Sequence, residues 1–498
     1  MTERPVIYQV MTRLFGADGK HLTQGGTRKD NGCGKMRDFT GEALSQIKQM
    51  GCNCIWYTGI LQHATKSDYT EFGIDNDNPD LVKGNAGSPY AVKDYYDVCP
   101  DLAVKVEDRM KELENLVKRT HKAGLKMIID FIPNHVAAEY KGKTNPFTDE
   151  NYYPGRIHDG DWTDTAKLNY GSKDTWHKML DIMLFWAGKG IDGMRCDMAE
   201  LVPCDFWNWA IPQVKAVNSD FIFIAEVYNP GQYRDYIYHG HFDYLYDKVG
   251  LYDSLKNVVQ GRSASNLTSC WQEVDDIKDH MVNFLENHDE QRIASRFFAG
   301  NEERGKAMLL VSALMRTNPF MLYFGQDLGE AALDKEGFSG DDGRTSIFDY
   351  WTVDKIRRWR NGGKFDGKLL TAEEIKLHEF YSSVLRLCNE EEAIREGSFF
   401  DLMYANYDNP LMNTNRQYAF LRKSAQSLVL VVANFEESDT DTDIIIPRHA
   451  FECMGLKHGQ RKAIELLSGE KLTLTLEPDS RIHLTLPANC GTVIKIKQ

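Results

Sequence analysis

The sequence is most informative at IDGMRCDMAEL, residues 191–201, where a short apolar segment carries Arg195 and Asp197 at alternate positions. Side chains two residues apart in a strand point to the same side. Charged groups are costly to bury without partners, so their presence in an apolar segment needs an explanation. The pattern predicts a strand whose end presents an arginine and a carboxylate together.

Seven other apolar runs of similar length flank this one along the chain. They are VIYQVMTRLF, CNCIWYTGIL, KMIIDFIPNH, FIFIAEVY, FDYLYD, MVNFLENHD and PFMLYFGQ. Helical patterns separate most of them, including VEDRMKELENLVKRTHKAG, which stops at Gly124, and DFWNWAIPQVKAV, with Asp205 as its predicted N-cap. Eight strands that mostly alternate with helices predict an α/β fold, a closed parallel (β/α)8 barrel.

Two regions interrupt this alternation and set the predicted domain boundaries. Residues 136–173 are polar, aromatic and rich in glycine and proline, without a helical period, so we expect an excursion from the barrel there. From about residue 395 the pattern is all-β, which predicts an antiparallel β-sandwich over 395–498. The barrel then comprises residues 1–135 and 174–394.

Composition excludes several classes of protein. The 498 residues are 42% hydrophobic and carry a net charge of −14, which argues against nucleic-acid binding and leaves a neutral small substrate open. No run of ~20 apolar residues predicts a membrane span. The start, MTERPVIYQV, lacks the apolar core of a signal peptide, so we expect a cytoplasmic protein, or a periplasmic or secreted one if a signal has been removed. Ten scattered cysteines predict free thiols, and none has zinc-ligand spacing.

Polar residues cluster at one end of four predicted strands. They are Asp130, Asn134 and His135 after the third strand, Arg195 and Asp197 after the fourth, Glu226 after the fifth, and Asn287, His288 and Asp289 after the seventh. The C-terminal ends of barrel strands converge on one mouth. For a single strand, a salt bridge that holds the strand end is the simpler interpretation. Acids on four strands, with few cations, favour a catalytic cluster.

Acids beside an arginine suit glycoside hydrolysis. One carboxylate must be ionised to attack the anomeric carbon, and another must be protonated to protonate the leaving oxygen. Arg195 lowers the pKa of its neighbour Asp197 and so favours the ionised form. Glu226 follows the very apolar FIFIA, where burial raises the pKa of a carboxyl group, as a general acid requires.

These motifs resemble the four signatures of the α-amylase family of glycoside hydrolases. DFIPNH, GMRCD, AEVYN and FLENHD match them in the family's order, each at a strand end, and YFGQDLG is similar to the segment after the eighth strand, with Asp327 in place of glutamate. The resemblance covers essentially the whole chain. It implies the barrel, an inserted domain B and the C-terminal sandwich.

The resemblance also implies a role for individual residues. Asp197 corresponds to the nucleophile, Glu226 to the general acid/base and Asp289 to the third carboxylate, which binds sugar hydroxyls. Arg195 orients the nucleophile. The substrate-binding residues are implied to be Tyr90, which stacks on the sugar, and His135 and His288, which hydrogen-bond it. Asp130 is implied to be a structural acid near the arginine.

Two departures from the family concern the leaving-group side and the calcium site. Glu200 and Leu201 stand where many members carry lysine and histidine. AKLNY, residues 166–170, is similar to a domain B segment in which Lys167 replaces an aspartate ligand of calcium. We therefore expect no cofactor and no metal at the family's site beside Asn134, with Lys167 as a fixed internal cation. The acidic loop DNDNPD, residues 75–80, leaves calcium elsewhere open.

The predicted substrates are starch-derived α-1,4-glucans or malto-oligosaccharides, cleaved with retention through a covalent intermediate. A transglycosylase on the same scaffold is an alternative, because the chemistry up to the intermediate is shared. A catalytically inactive binding or scaffold barrel is less favoured, since all three acids are present. HGH, residues 239–241, resembles a metal pair of amidohydrolase barrels, but no lysine or aspartate set completes it. The oligomeric state stays open.

Overall fold

The computed structural model describes residues 3–333 and 342–498 and contains the expected closed barrel of eight parallel strands, which confirms the α/β fold class. The barrel strands are β1 (Val6–Met11), β2 (Cys54–Thr58), β3 (Lys126–Phe131), β4 (Gly193–Cys196), β5 (Ile222–Ala225), β6 (Tyr244–Tyr246), β7 (Met281–Phe284) and β8 (Phe320–Tyr323). Neighbours in the barrel follow chain order, and β1 closes it by pairing with both β2 and β8.

Helices alternate with these strands on the outside. The longer ones are α1 (Gly41–Gln49), α2 (Arg109–Lys122), α3 (Lys173–Gly188), α4 (Cys204–Val217), α5 (Asp253–Val259), α6 (Leu267–Glu273), α7 (Gly305–Leu314), α8 (Asp354–Arg360) and α9 (Ala372–Glu390). Further helices span Thr12–Phe15, Arg28–Asn31, Glu392–Arg395, Met403–Asn406 and Arg448–Met454. The predicted N-cap of α4 is wrong: Pro203 occupies that position, and Asp205 lies in the first turn, where a carboxylate favours the helix dipole.

Two short antiparallel pairs extend above the barrel. Leu61–His63 pairs with Val92–Val98, and His135–Ala137 pairs with Thr165–Lys167, where His135 lies opposite Lys167. The second pair connects β3 to the segment predicted as the excursion at 136–173. The predicted barrel range also includes residues 1–2 and 334–341, which lie outside the described residues.

The C-terminal region is antiparallel β, as expected. Its strands are β9 (Ser398–Asp401), β10 (Gln417–Lys423), β11 (Ser427–Asn434), β12 (Thr440–Ile446), β13 (Gly459–Glu465), β14 (Lys471–Leu476), β15 (Ser480–Leu486) and β16 (Gly491–Lys497). Six form one sheet in the order β9-β10-β11-β16-β13-β14, and β12 pairs with β15. Sequence patterning missed β9, β10 and β13. Helix α7 of the barrel packs against β11.

The described residues carry neither a candidate membrane helix nor a disulfide. Over 3–333 and 342–498, no helix combines the length and hydropathy that a membrane crossing requires. All ten cysteines are unpaired, and six of them are buried. Buried thiols of this kind behave as small apolar core residues.

Candidate active site

Four strand ends bring the predicted acids together at the barrel mouth. Asp130 lies in β3, Asp197 and Glu226 directly follow β4 and β5, and Asp289 lies in the loop after β7. Gly193 permits the close approach of β4 and β5, because a Cβ atom there would lie 2.7 Å from the carbonyl oxygen of Ile222. The sequence predicted that these acids lie at one end of the barrel. In the structure they surround a single cation.

That cation is Arg195, whose side chain is fully buried. Its Nη1 lies 2.8 Å from Asp197 Oδ1 and 3.6 Å from Asp130 Oδ1, and its Nη2 lies 2.8 Å from Glu226 Oε2 and 4.0 Å from Asp289 Oδ2. The contact with Asp197 is an aligned hydrogen bond, whereas Nη2 faces Glu226 as an ion pair without hydrogen-bond geometry. Nε donates to Tyr246 Oη at 3.1 Å.

Burial raises the pKa values of the four carboxyl groups, and the single cation Arg195 offsets only part of that rise. Burial raises the pKa of Asp130 to about 7 and raises that of Asp197, although Arg195 acts in the opposite direction on both. Burial also raises the pKa of Glu226, and burial together with Glu226 raises that of Asp289 well above its ordinary value. Arg195 lowers the pKa of Asp197 through its charge and through the hydrogen bond from Nη1, which favours the ionised form of Asp197.

Glu226 is held by two neighbours besides Arg195. The backbone N–H of Met198 donates to Oε2 at 2.7 Å, and the hydroxyl of Tyr228 hydrogen-bonds Oε1 at 2.7 Å. Met198 adopts a left-handed backbone conformation with φ 42°, which is uncommon for a residue with a side chain. Such strain costs of order 1–3 kcal/mol and is found at functional sites. Here the residue after the predicted nucleophile holds the predicted acid/base.

Tyr90, His288 and Asp130 form one connected group beside the acids. Tyr90 stacks on the His288 ring with centroids 5.2 Å apart, and its hydroxyl lies 2.6 Å from His288 Nε2 and 3.3 Å from Asp130 Oδ1. Gln9 contacts the other ring nitrogen of His288 at 2.8 Å, and Trp56 donates to Asp130 Oδ2 at 3.0 Å. Burial keeps the pKa of His288 well below its ordinary value, so the ring is neutral.

His135 lies at the start of the hairpin above β3. Its ring is 5.3 Å from that of Trp162, and burial lowers its pKa to about 4. The neighbouring Asn134 donates through Nδ2 to Asp159 Oδ2 at 2.8 Å, while Lys167 Nζ lies 2.7 Å from Asp159 Oδ1. One carboxylate thus joins the two residues that the sequence associated with the calcium position.

The oxygen atoms around Asn134 do not fit a calcium site. Calcium takes six to eight oxygen ligands with net negative charge. Asp159, the carboxylate bound to Asn134, already carries the Lys167 ammonium. The acidic loop at 75–80 has a similar arrangement: Lys93 and Lys141 donate to the backbone carbonyls of Asp75 and Asn76, and Lys93 Nζ lies 2.9 Å from Asp77 Oδ2. In both places, lysine ammonium groups contact the oxygen atoms that a calcium ion would need as ligands.

Two family models match the chain. The model described as "Alpha amylase, catalytic domain" matches residues 26–164 and 148–363, and "Alpha amylase, C-terminal all-beta domain" matches 407–497. The chain belongs to the alpha-amylase family. The resemblance drawn from the four motifs is therefore confirmed.

Individual relatives are distant in sequence and similar in fold. Alpha-amylase MalA of Haloarcula japonica is 24% identical over 66% of this chain, and the match covers 44% of MalA. The crystal structure of AmyB from Thermotoga neapolitana, described as a noncanonic maltogenic alpha-amylase, has a TM-score of 0.71 at 20% identity and 99% coverage of both chains. CldA, described as a cyclomaltodextrin glucanotransferase, has a TM-score of 0.72 at 17% identity over all of both chains.

Several residues of the site were missed by sequence reasoning. Tyr246, Gln9 and Trp56 lie within barrel strands whose apolar composition gave no signal for them. Tyr228 follows Glu226 by two residues, the same alternation that identified Arg195 and Asp197, and could have been found that way. Glu200 was noted only as a departure from the family; its Oε2 accepts the backbone N–H groups of Tyr228 and Asn229, each at 3.0 Å.

Proposed function

We propose that this alpha-amylase family member is a retaining glycoside hydrolase that cleaves α-1,4-glucosidic bonds in starch-derived glucans or malto-oligosaccharides. The observation that supports it most is the pairing of Asp197 and Glu226 on one guanidinium, each 2.8 Å from a nitrogen of Arg195. Two carboxylates bound to adjacent nitrogens lie close together. Retaining glycosidases hold theirs roughly 5–5.5 Å apart, whereas inverting enzymes leave roughly 6.5–9.5 Å for a water molecule.

The proposed reaction has two steps. Asp197 attacks the anomeric carbon while Glu226 gives its proton to the glycosidic oxygen, so that the C–O bond breaks and a glycosyl ester forms. Water then attacks the ester, and the ionised Glu226 takes the water proton. Arg195 supports the ionised Asp197, and burial supports the protonated Glu226.

The remaining predicted residues have binding roles in this proposal. Asp289 keeps 34% of its side chain exposed, more than the other three acids, which suits contact with sugar hydroxyls. Tyr90 and His288 present a stacked pair of rings beside it, and His135 with Trp162 lies at the start of the hairpin. Asp130, fixed by Trp56 and close to Arg195, is a structural acid.

Product analysis tests this proposal. The protein is incubated with maltoheptaose, a cyclodextrin, pullulan and starch, with Asp197→Asn as the inactive control, and the products are separated by chain length. We expect shorter malto-oligosaccharides from maltoheptaose and starch. Products longer than the substrate at high maltoheptaose concentration would instead identify a transglycosylase, and no product from any glucan would indicate an inactive barrel.

We also propose that Lys167 takes the place of the family's calcium ion. Its ammonium neutralises Asp159, and Asp159 in turn fixes Asn134 next to His135. Asn134 and Lys167 thus join β3 to the second strand of the hairpin through one carboxylate. The proposal requires no cofactor for folding or activity.

A cytoplasmic location is the last part of the proposal. It is supported by ten cysteines without a disulfide in the described chain, since secreted proteins commonly use disulfides. Cell fractionation with an antibody against the protein tests it, and recovery from the culture medium or periplasm would contradict it.

A further inference from the structure

Tyr228 and Glu200 surround Glu226, and neither has a role in the motifs that define the site. Building on the function proposed above, we propose that both are positioning residues for Glu226, with the Tyr228 hydroxyl as the partner of the oxygen that carries the catalytic proton. Two sets of contacts support this: the hydroxyl lies 2.7 Å from Glu226 Oε1, and Glu200 accepts the backbone N–H groups of Tyr228 and Asn229.

The contacts distinguish the two oxygens of Glu226. Oε2 accepts the N–H of Met198 at 2.7 Å and faces Arg195 Nη2 at 2.8 Å. Both neighbours of Oε2 are nitrogen donors that cannot accept a hydrogen bond. A proton on Oε2 would therefore have no acceptor among them. Oε1 faces a hydroxyl, which both donates and accepts. The proton of the general acid therefore resides on Oε1.

This assignment gives Tyr228 a different hydrogen-bond role in each state of Glu226. While Glu226 is protonated, Oε1–H donates to Tyr228 Oη or to the glycosidic oxygen. When the proton moves to that oxygen and the C–O bond breaks, the Tyr228 O–H donates to the new carboxylate. In the second step water returns a proton to Oε1. Tyr228 keeps its own proton throughout, since burial and Glu226 raise its pKa well above the ordinary value.

Glu200 fixes the turn that carries Tyr228. It lies at the position where many family members carry lysine, and a lysine could not accept the two N–H groups. Glu200 follows β4 and Tyr228 follows β5, so the two hydrogen bonds connect the loops that carry the nucleophile and the acid/base. The turn is thereby held with the hydroxyl directed at Oε1.

Other charged and titratable groups also face Glu226 and are unchanged by the test variants. They are Arg195, Asp197, Tyr246 and Asp289. Tyr228→Phe removes one hydroxyl and leaves these groups in place. Because the hydroxyl stabilises the ionised carboxylate, its loss raises the pKa of Glu226.

Tyr228→Phe is tested with two substrates over a range of pH. We expect kcat/KM on maltoheptaose to fall about 10- to 100-fold, the usual effect of losing a hydrogen bond to a charged group. With α-glucosyl fluoride, whose leaving group needs little protonation, the fall should be less than about threefold. The alkaline limb of kcat/KM should move to higher pH. Equal losses on both substrates with an unmoved alkaline limb would overturn the proposal.

Tyr233→Phe is the matched control, because the buried Tyr233 hydroxyl in the same loop has no hydrogen-bond partner among the described residues. It should retain the wild-type pH profile. For Glu200, alanine removes the accepting oxygen and glutamine keeps one, so Glu200→Ala should lower kcat/KM on maltoheptaose about tenfold and Glu200→Gln should restore most of it. Wild-type activity in Glu200→Ala would show that Glu200 does not position the turn.

A direct titration separates this inference from the proposed function. The carboxyl carbon of Glu226 is followed by NMR in protein labelled with ¹³C-glutamate and is assigned with Glu226→Gln. The pKa of Glu226 should be higher in Tyr228→Phe than in wild type. An equal pKa in both would overturn the role of Tyr228 even in an active enzyme. A higher pKa in a protein that cleaves no glucan would support that role and contradict the proposed function.

Discussion

At the scale of single residues, the site depends on one arginine shared among four acids. Arg195 offsets one negative charge, so the remaining carboxyl groups are protonated more readily than in water. The hydrogen bond from Arg195 Nη1 to Asp197 favours the ionised form of that aspartate. Burial raises the pKa of Glu226 and so favours the protonated form, and its Oε1 faces a hydroxyl rather than a cation. The same cluster thus supplies a nucleophile and an acid at one pH.

The two acids should respond differently to removal of their charge. Asp197→Asn should abolish turnover on every substrate, because no nucleophile remains. Glu226→Gln should lose about 10²–10⁴-fold on maltoheptaose, the usual contribution of general acid catalysis, and much less on α-glucosyl fluoride in the glycosylation step. Stopped-flow release of fluoride measures that step. Equal losses of Glu226→Gln on both substrates would remove Glu226 as the acid.

The pH dependence follows from the directions of the pKa shifts. Activity requires an ionised Asp197 and a protonated Glu226, so kcat/KM should fall below the pKa of Asp197 and above that of Glu226. Burial raises both values. The bell-shaped curve of kcat/KM against pH should therefore have both limbs at higher pH than the pKa values of exposed carboxyl groups, which are roughly 3.9 for Asp and 4.3 for Glu. Initial rates at low maltoheptaose concentration from pH 3 to 10 measure it, and an alkaline limb near ~4.3 would contradict the protonated acid.

At the scale of elements, the hairpin after β3 contains a lysine–aspartate–asparagine bridge. Lys167 lies opposite His135 in the register, and Asp159 joins Lys167 to Asn134. The sequence indicated Lys167 and Asn134 as neighbours through the family motifs. Asp159 carried no signal, because it lies in an irregular segment whose path depends on tertiary contacts.

Lys167→Asp should convert this bridge into a cation site. Two carboxylates beside the Asn134 amide supply oxygen and negative charge, so the melting temperature of the variant should fall in chelator and recover with calcium. The wild type should be unaffected by chelator. Lys122→Asp, at an exposed position in α2, is the control with the same change of charge. A chelator-sensitive wild type would contradict the role of Lys167.

At the scale of the whole molecule, buried arginines join the barrel to the C-terminal sheet. Arg422 of β10 is fully buried and donates to the carbonyls of Leu314, Ile394 and Gly397, at 2.8–3.0 Å. Leu314 ends the barrel helix α7. Because a carbonyl left without its donor in the interior is costly, these contacts couple the stability of the two parts.

Arg422→Met should lower the free energy of unfolding by at least about 3 kcal/mol, because three buried carbonyls lose their donor at a cost of about 1–3 kcal/mol each. The specific activity of the remaining folded enzyme at low temperature should be unchanged, because Arg422 lies outside the site. Urea unfolding followed by tryptophan fluorescence measures the loss. Lys423→Met, on the neighbouring residue of β10, is the control, and an equal loss there would show that the buried contacts are not responsible.

The fold was predictable in the regions where apolar composition and a regular spacing of apolar residues identify strands and helices. Eight apolar runs identified β1 to β8, and polar residues at their ends located the mouth. Strand β9 was missed because Ser398–Asp401 is short, and β13 was missed because QRKAIE is half exposed and charged. Strand β10 was missed because polar Gln417, Arg422 and Lys423 flank its short apolar centre.

The sequence predicted which residues form the site, but it predicted fewer of the hydrogen bonds between them. Asp130, Asp197, Glu226 and Asp289 were indicated by their position after strands. The left-handed Met198, which directs an N–H to Glu226, has no sequence signal, since only the fold imposes that conformation. The bond from Glu200 to the turn after β5 likewise joins residues that are close only after the barrel closes.

Trapping the covalent intermediate shows whether Asp197 is the nucleophile. The protein is incubated with 5-fluoro-α-D-glucosyl fluoride, whose ring fluorine slows breakdown of the ester by destabilising positive charge at the anomeric carbon. It is then digested with pepsin and analysed by mass spectrometry. We expect one fluoroglucosyl group on the peptide that contains Asp197, and none in Asp197→Asn. A label on another residue, or turnover to the β-anomer without any label, would contradict it.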